Sequence, residues 1–520
     1  MMMMSFCLSP QALADAFTHY GVACTTPTPQ LESAEVAPFQ AVTADSRKVQ
    51  LGTLFVALKG AKVDGHAYLA QAVQAGATAL IVQHGVERPS LPSDVLVIEV
   101  ANTYHAFGVA CSAFYGLPAQ RLQLIGVTGT NGKTTVTHLV QRILTHAQKK
   151  VALIGTLGVK AAQASNSYAD TGNTTPLADV LQAYLQQLAE GGTDCVAMEV
   201  SSHALDQDRT ATCEYDVAIH TNLTQDHLDY HVTMERYFQA KAKLFSQLNP
   251  TAIDGRPRHA VINIDDAWGQ RFVEAVPAGV QVWTYGLKAE HATVRAVDVR
   301  YSVQGASYTV HTPVGSQAVQ LQMAGAFSVY NSLAALATGL ALGYPLASVV
   351  EALEGEPGVR GRFEVVGQGE GQPSVIVDYA HTPDGLENVL QAARDITPPT
   401  QKLWVVFGCG GDRDATKRPK MGAIADRLAD CVVVTSDNPR SEQPQQIITD
   451  ILGGLPSNNP ERLFVEPDRR KAIALALTTA KAGDVVVLAG KGHETYQILA
   501  DQTIHFDDKE EALAVLDSLG

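Results

Sequence analysis

Thr128-Gly-Thr-Asn-Gly-Lys-Thr-Thr135 follows an apolar run, Leu122 to Val127, and precedes a helical pattern, Thr135 to Leu144. A Gly/Thr-rich turn between strand and helix aims successive backbone N–H groups and the positive end of the helix dipole at one point. Phosphate oxygens bind at such points. There Lys133 would reach terminal phosphates and the Thr134 hydroxyl would hold Mg²⁺. The common spacing G-x-x-x-x-G-K-[ST] needs Gly at position 127, but Val127 stands there, flanked by Gly126 and Gly129. The expected grip, of a particular subtype, comprises Gly129, Thr130, Asn131, Gly132, Lys133, Thr134 and Thr135.

The 520 residues suit about three domains. Up to about residue 107, short strands (Thr53–Leu58, Ala79–Gln83) mix with short helices such as His66–Gln74. A second block, 108–355, alternates strand and helix as a parallel sheet does. Its strands are expected at Leu122–Val127, Val151–Ile154, Cys195–Val200, Val217–Thr221 and Val261–Ile264. A β-rich part, Val280 to Met323, and an Ala-rich helix follow. The third block, 356–520, has strand candidates Val375–Asp378, Leu403–Phe407, Cys431–Thr435, Arg462–Val465 and Asp484–Ala489. Helical patterns lie at Leu386–Asp395, Gln445–Leu452 and Lys471–Thr479. Polar motifs fall at its strand ends, where doubly wound sheets bind ligands: Asp378-Tyr-Ala-His381, Gly408 to Asp414, Ser436 to Arg440 and Gly490 to Glu494.

Composition is that of a globular protein, 46% hydrophobic and 18% charged. A net charge of -15 opposes binding to nucleic acid or anionic membranes. Seven scattered cysteines without C-x-x-C or zinc spacing suggest reduced thiols and a cytoplasmic location. Met1 to Pro10 does not read as a signal peptide. The uncharged segment Val319 to Val350 reads as a buried helix, not a membrane span, because Gln320, Gln322, Asn331 and Ser332 interrupt it.

Glu199 closes an apolar run, where a phosphate-loop protein places the carboxylate that serves Mg²⁺. His227, in Thr221-Asn-Leu-Thr-Gln-Asp-His227, suits a second metal, although a lone histidine is more often structural. Lys241 falls on the apolar face of the pattern Glu235–Leu248, with Tyr237, Phe238, Leu244 and Phe245. A buried ammonium must pair, ligate or lose its proton. A neutral amine can add CO₂ to become an anionic carbamate. Spacing alone favours a snorkelling lysine. Arg413 and Arg440 offer planar forks for carboxylates, Asn438 before Pro439 a fixed amide, and Glu494 an acid for an ammonium. Together they describe an amino-acid site, or else surface ion pairs.

These motifs, with Asn173-Thr-Thr-Pro176, Glu199-Val-Ser-Ser-His-Ala204, Tyr237 with Lys241, Tyr330-Asn331, Gly361-Arg-Phe-Glu364 and Asp378-Tyr-Ala-His-Thr-Pro383, occur in an order that resembles the Mur ligases. Those are ATP-dependent enzymes that add amino acids to the peptidoglycan precursor. The resemblance implies an α/β chain of three domains. These would be an N-terminal α/β UDP-binding domain (1–107), a central P-loop parallel-sheet ATPase domain (108–355) and a C-terminal Rossmann-like, doubly wound amino-acid-binding domain (356–520). Asp437-Asn-Pro-Arg440 is similar to the signature for meso-2,6-diaminopimelate rather than L-lysine.

By the same resemblance, Ala44, Ser46 and the Ala61-Lys62-Val63 turn would lie on the UDP part of UDP-N-acetylmuramoyl-L-alanyl-D-glutamate. Asn173, Thr174, Thr175, Ser201, Gln207 and Arg209 would hold its muramoyl-dipeptide. Asn331 and Arg362 would join the loop in holding ATP. Arg413, Asp437, Asn438, Pro439, Arg440, Gly490 and Glu494 would take diaminopimelate. Lys133, Glu199, His227 and Lys241 would be catalytic. Mg²⁺ would lie on Thr134 and Glu199, and a second ion near His227 and Lys241 carrying a CO₂-derived carbamate. A monomer acting on small molecules is expected. The alternatives are L-lysine as the amine, a folylpolyglutamate-type ligase, or a P-loop NTPase switch.

Overall fold

The apolar runs become strands, and amphipathic helices cover their sheets. The computed structural model describes residues 6–24, 37–60, 63–162, 168–250, 255–367, 371–455 and 460–519. Three α/β sheets and a two-stranded ribbon organise them. The first sheet is parallel, in the order Ala41–Thr43, Thr53–Val56, Ala77–Gln83, Leu96–Val100. Helices Pro10–His19 and Thr103–Phe114 pack on it. The second of these starts where Asn102 Oδ1 accepts the N–H groups of Tyr104 and His105, the usual way to satisfy a helix's first donors. Residue 107 lies inside this helix, whose Ala106, Phe107, Val109 and Ala110 belong to the first core. The expected boundary at 107 thus falls within a helix that packs on the first sheet.

The second sheet has ten strands and centres on Gln123–Thr128, which pairs in parallel with Cys195–Glu199 and Val217–His220. Val127 lies opposite Glu199, and Thr128 opposite His220. That register sets the phosphate loop between the loops leaving its two neighbours. Beyond Cys195–Glu199 lie Val151–Gly155 and Gly158–Lys160. On the other side come His259–Asn263, Gln281–Gly286, Val294–Ser302, Gly305–Thr312 and Gly315–Leu321. The β-rich part therefore extends this sheet, and its last strands turn antiparallel.

Helices Lys133–His146 and Ala326–Ala341 cover one face of the sheet, and Ala178–Glu190 and Met234–Ser246 the other. Burying each large aliphatic side chain there is favourable by about 1.5–3 kcal/mol. In Ala326–Ala341 the buried hydroxyls are satisfied: Ser328 Oγ donates to Ala324 O, Ser332 Oγ lies 2.8 Å from Tyr308 OH, and Thr338 Oγ1 donates to Ala334 O. Among the described residues no helix is long and apolar enough to cross a membrane.

Helix Leu346–Glu354 ends at Gly355, and the third sheet begins at Glu364. Its order is Glu364–Gly367, Ser374–Asp378, Val485–Ala489, Leu403–Phe407, Cys431–Val434, Leu463–Val465. All pairs but the first are parallel. Helices Pro383–Ile396, Lys417–Leu428 and Pro444–Leu452 pack on one side, and Arg469–Thr479 and Asp508–Leu519 on the other. The four polar motifs leave this sheet at the carboxyl ends of its strands.

Candidate active site

Gly132 makes the turn that starts the phosphate-loop helix. Its φ of +85° suits glycine, and a Cβ there would stand 2.5 Å from Asn331 Oδ1, so Asn331 lies directly against the loop. The loop is laced to the neighbouring Thr221–Thr224 segment. Thr130 N donates to Asn222 O (2.8 Å), Asn131 N to Asn222 Oδ1 (2.9 Å) and Thr221 Oγ1 to Asn131 O (2.6 Å). Thr134 and Thr135 are buried in the first turn of the helix. Thr134 Oγ1 donates to Glu199 Oε1 at 3.0 Å. The same carboxylate accepts the Thr156 N–H (2.9 Å) and hydroxyl (3.1 Å). Gly155 leaves the room that this carboxylate fills, since a Cβ on it would overlap Glu199 Oε1.

Lys133 does not extend outward. Its Nζ folds back onto the carbonyls of Gly129 and Thr130, at 2.8 Å each. Lys241 Nζ donates to the same Gly129 carbonyl at 2.7 Å and lies 4.7 Å from the Tyr237 ring centre. Its side chain is buried, 1% exposed, so the snorkelling reading is wrong: the stem has no route to water. Burial first, and Lys133 second, hold the Lys241 ammonium well below the usual lysine range. Burial also lowers Lys133, against the pull of Glu199 and Asp226.

His227 has a left-handed backbone (φ +53°) and lies 3.3 Å from Asp226 through Nε2. Burial lowers its pKa, opposed by Asp226 and aided by Lys241 and Lys133. Its ring packs edge-on against His203 at 4.9 Å and Tyr237 at 6.1 Å. Among the described residues no three His, Cys, Asp or Glu converge as a ready metal cluster. A cation here would draw on Thr134 and Glu199 oxygens together with phosphate and water, the hard donors that Mg²⁺ takes.

Thr175 Oγ1 joins Glu199 O (2.9 Å), Ser201 Oγ (3.3 Å) and Ser201 N (2.9 Å). Arg209 donates to Thr175 O at 2.8 Å and through Nη2 to Gln207 Oε1 at 2.7 Å. Thr174 Oγ1 lies 3.2 Å from Thr156 Oγ1, and Asn173 O accepts from Thr171 Oγ1 at 2.9 Å. The structure thus links Thr174, Thr175, Ser201, Gln207 and Arg209 to Glu199 through Thr156 and Thr175, while Asn173 meets its near neighbour Thr171. It does not so gather the first unit's residues. Among the described residues no hydrogen bond ties half-buried Ala44 and Ser46, or exposed Val63, to the rest of the site. Ala61 and Lys62 lie outside the described residues.

The third unit reaches the phosphate loop. Arg362 Nη2 donates to Thr134 Oγ1 at 3.3 Å while its guanidinium lies over the Tyr379 ring, 4.7 Å from its centre. Asp384 Oδ2 accepts from Asn131 Nδ2 at 2.6 Å and Thr224 Oγ1 at 2.9 Å. Sequence reasoning passed over Asp384, because an acid in a helix's first turn is usually read as complementing the dipole.

Farther along the same sheet edge, Asn438 Nδ2 donates to Glu494 Oε2 at 2.9 Å. Gly490, with φ +120°, sits beside Asp437, and Pro439 O packs on Gly411. Arg440 Nη1 donates to Gly411 O at 2.8 Å, and exposed Arg413 donates to Asp412 O at 3.2 Å. Glu494 already holds an ammonium, that of Lys491, at 3.2 Å. Its expected role as the acid for an incoming ammonium is therefore shared with a residue that sequence reasoning missed.

Three family models match the chain: the Mur ligase catalytic domain over 38–115, the Mur ligase middle domain over 127–339, and the Mur ligase glutamate ligase domain over 361–492. The UDP-N-acetylmuramoyl-L-alanyl-D-glutamate–2,6-diaminopimelate ligase of Geobacillus thermodenitrificans is 47% identical over 92% of this chain and 94% of its own. That of Synechococcus elongatus is 48% identical over 95% and 97%. A solved structure of a ligase of the same name is similar at TM-score 0.65 and 34% identity, covering 97% of this chain and 99% of its own.

Proposed function

The chain belongs to the Mur ligase family, and from that premise we propose that it joins meso-2,6-diaminopimelate to UDP-N-acetylmuramoyl-L-alanyl-D-glutamate in ATP-dependent peptidoglycan precursor synthesis. The observation that carries this reading is likeness along the whole chain to ligases of that name. An enzyme sharing only the nucleotide unit would diverge in the first or third sheet.

A carboxylate does not accept an amine in neutral water until one of its oxygens becomes a leaving group. The D-glutamate γ-carboxylate oxygen attacks the γ-phosphorus of ATP, the bond to ADP breaks, and an acyl phosphate forms. The amine, once it has lost its ammonium proton, attacks the acyl carbon through nitrogen; a second proton leaves the nitrogen and phosphate departs from the tetrahedral intermediate. Two anions must meet in the first step, and the loop offsets their repulsion. Lys133 would turn from its loop carbonyls to the terminal phosphate. Thr134 Oγ1 and Glu199 would hold Mg²⁺, which when bound neutralises phosphate charge. Arg362, already on Thr134, adds a cation from the third unit.

Two lysine nitrogens share the Gly129 carbonyl, an arrangement that disfavours two ammonium charges. Neutral Lys241 would add CO₂: an N–C bond forms, one amine proton leaves, and the resulting carbamate anion balances Lys133. With His227 it would offer donors for a second cation. The seven free thiols suit the cytoplasm, and the three units in one chain suit action as a monomer.

The test combines phosphate release with product mass, supplying UDP-muramoyl-dipeptide, Mg²⁺ and ATP with diaminopimelate, L-lysine or glutamate. Diaminopimelate should be preferred by roughly a hundredfold or more, since a site built for its second carboxylate is left unpaired by lysine. Preference for lysine would overturn the amine assignment. Rapid hydrolysis without any amino acid would favour a nucleotide switch.

A further inference from the structure

Lys491 is fully enclosed, and its Nζ lies 3.2 Å from Asn438 Oδ1, 3.2 Å from Glu494 Oε2 and 3.7 Å from Asp437 Oδ1. The Tyr496 ring centre is 5.7 Å away. Both side-chain bonds to Glu494 fall on Oε2, so among the described residues Oε1 takes none. Asp437, itself 6% exposed, has its Oδ1 buried without a hydrogen-bond partner. A buried carboxylate oxygen that faces a cation at 3.7 Å but accepts no hydrogen bond is costly unless a ligand completes it. The neighbouring Arg469 guanidinium is taken up by Asp508, at 2.6 and 2.7 Å, so the two acids and Lys491 leave one uncompensated negative charge.

We infer that Lys491 is a positioning residue for the amine substrate: it fixes Glu494 and Asn438 so that Asp437 and Glu494 together present a single net negative charge to one substrate ammonium. Without Lys491 the two carboxylates would repel, and Glu494 would take a proton and lose the fixed, ionised oxygens that meet the substrate ammonium. With a second cation the site would have no charge left to bind an amine. The inference rests on the amino-acid-ligase reading and adds to it the residue that sets the charge of the amine pocket.

The groups facing Glu494 are Lys491 on its own loop, Asp437 and Asn438 from the loop after Cys431–Val434, and Tyr379 from the loop after Ser374–Asp378. Arg469 and Tyr496 complete the set. Burial raises the Glu494 carboxyl, and Lys491 is the largest influence drawing it down. Removing Lys491 should therefore raise it further. Below that value Glu494 is protonated and cannot hold an ammonium, and as pH rises through it binding returns.

Lys491→Met should raise KM for diaminopimelate roughly ten- to hundredfold, the effect of losing bonds to a charged group, and leave KM for the UDP-linked substrate within about twofold. The loss should be greatest near neutral pH and relieved towards alkaline pH. Because a lone buried charge can unfold a protein, Lys491→Met/Glu494→Gln supplies a neutral companion. It should bind diaminopimelate no worse than Glu494→Gln alone and show no alkaline recovery. An equal fall in rate with every KM unchanged, or a pH-independent loss, would overturn the inference. Wild-type enzyme that ignored diaminopimelate would instead overturn the functional reading and the substrate named here with it.

Discussion

At the scale of a residue, Lys241 concentrates the proposed chemistry. Its helical spacing placed it among aromatic neighbours, and spacing could not say whether its nitrogen escapes to water. The fold brings the phosphate loop over that nitrogen, so the amine meets Gly129 O instead of solvent. Lys241→Ala should lower kcat by about 10²–10³, the range for removing one preorganised electrostatic group, with partial recovery on adding short carboxylic acids. Full activity in that variant, or no bound ¹³C signal from labelled bicarbonate in the wild type, would exclude the carbamate. Glu494 taught the converse. Its carboxylate was legible as a partner for an ammonium, but the nearest ammonium is the chain's own.

At the scale of an element, strand register builds the Thr134–Glu199 group proposed to hold the cation. Cys195–Glu199 lies between Gln123–Thr128 and Val151–Gly155, so Glu199 ends beside Thr134 and Thr156. Gly155 ends Val151–Gly155 without a side chain to obstruct that carboxylate. Gly155→Ala should push the Glu199 carboxylate off Thr134 and raise the Mg²⁺ needed for half-maximal rate about tenfold, equivalent to about 1.4 kcal/mol. Unchanged Mg²⁺ dependence would show that Glu199 does not serve the ion. The strands themselves were legible because buried parallel strands read as short apolar runs between helical patterns. Their ends shifted by a residue or two, since pairing rather than composition terminates a strand. That the helix through residue 107 packs on the first sheet was not legible, because its apolar, alanine-rich sequence names no partner.

At the scale of the molecule, the third unit closes on the phosphate loop through Asp384 and Arg362. Asp384 is held between Asn131 and Thr224, and burial raises its carboxyl. Asp384→Ala removes both bonds, each worth about 0.5–1.5 kcal/mol net. The closed arrangement should lose population to open ones. Small-angle scattering should report a larger radius of gyration, with KM for ATP raised and the third unit's fold unchanged by circular dichroism. The same radius and KM would mean that this contact does not hold the units together.

Local chemistry was determined by the sequence itself. A glycine-rich turn between strand and helix that carries a lysine and a threonine has the donors and the charge that suit phosphate, and alternation of apolar runs with helical patterns suits sheets covered on both faces. Those signals are short-range, so they survive in the linear order of residues. What joins Thr134 to Arg362, Asn131 to Asp384 and Asn438 to Lys491 is proximity between residues 53 to 253 positions apart. Burial and charge pairing at such distances depend on which surfaces pack together, and only the tertiary structure decided that.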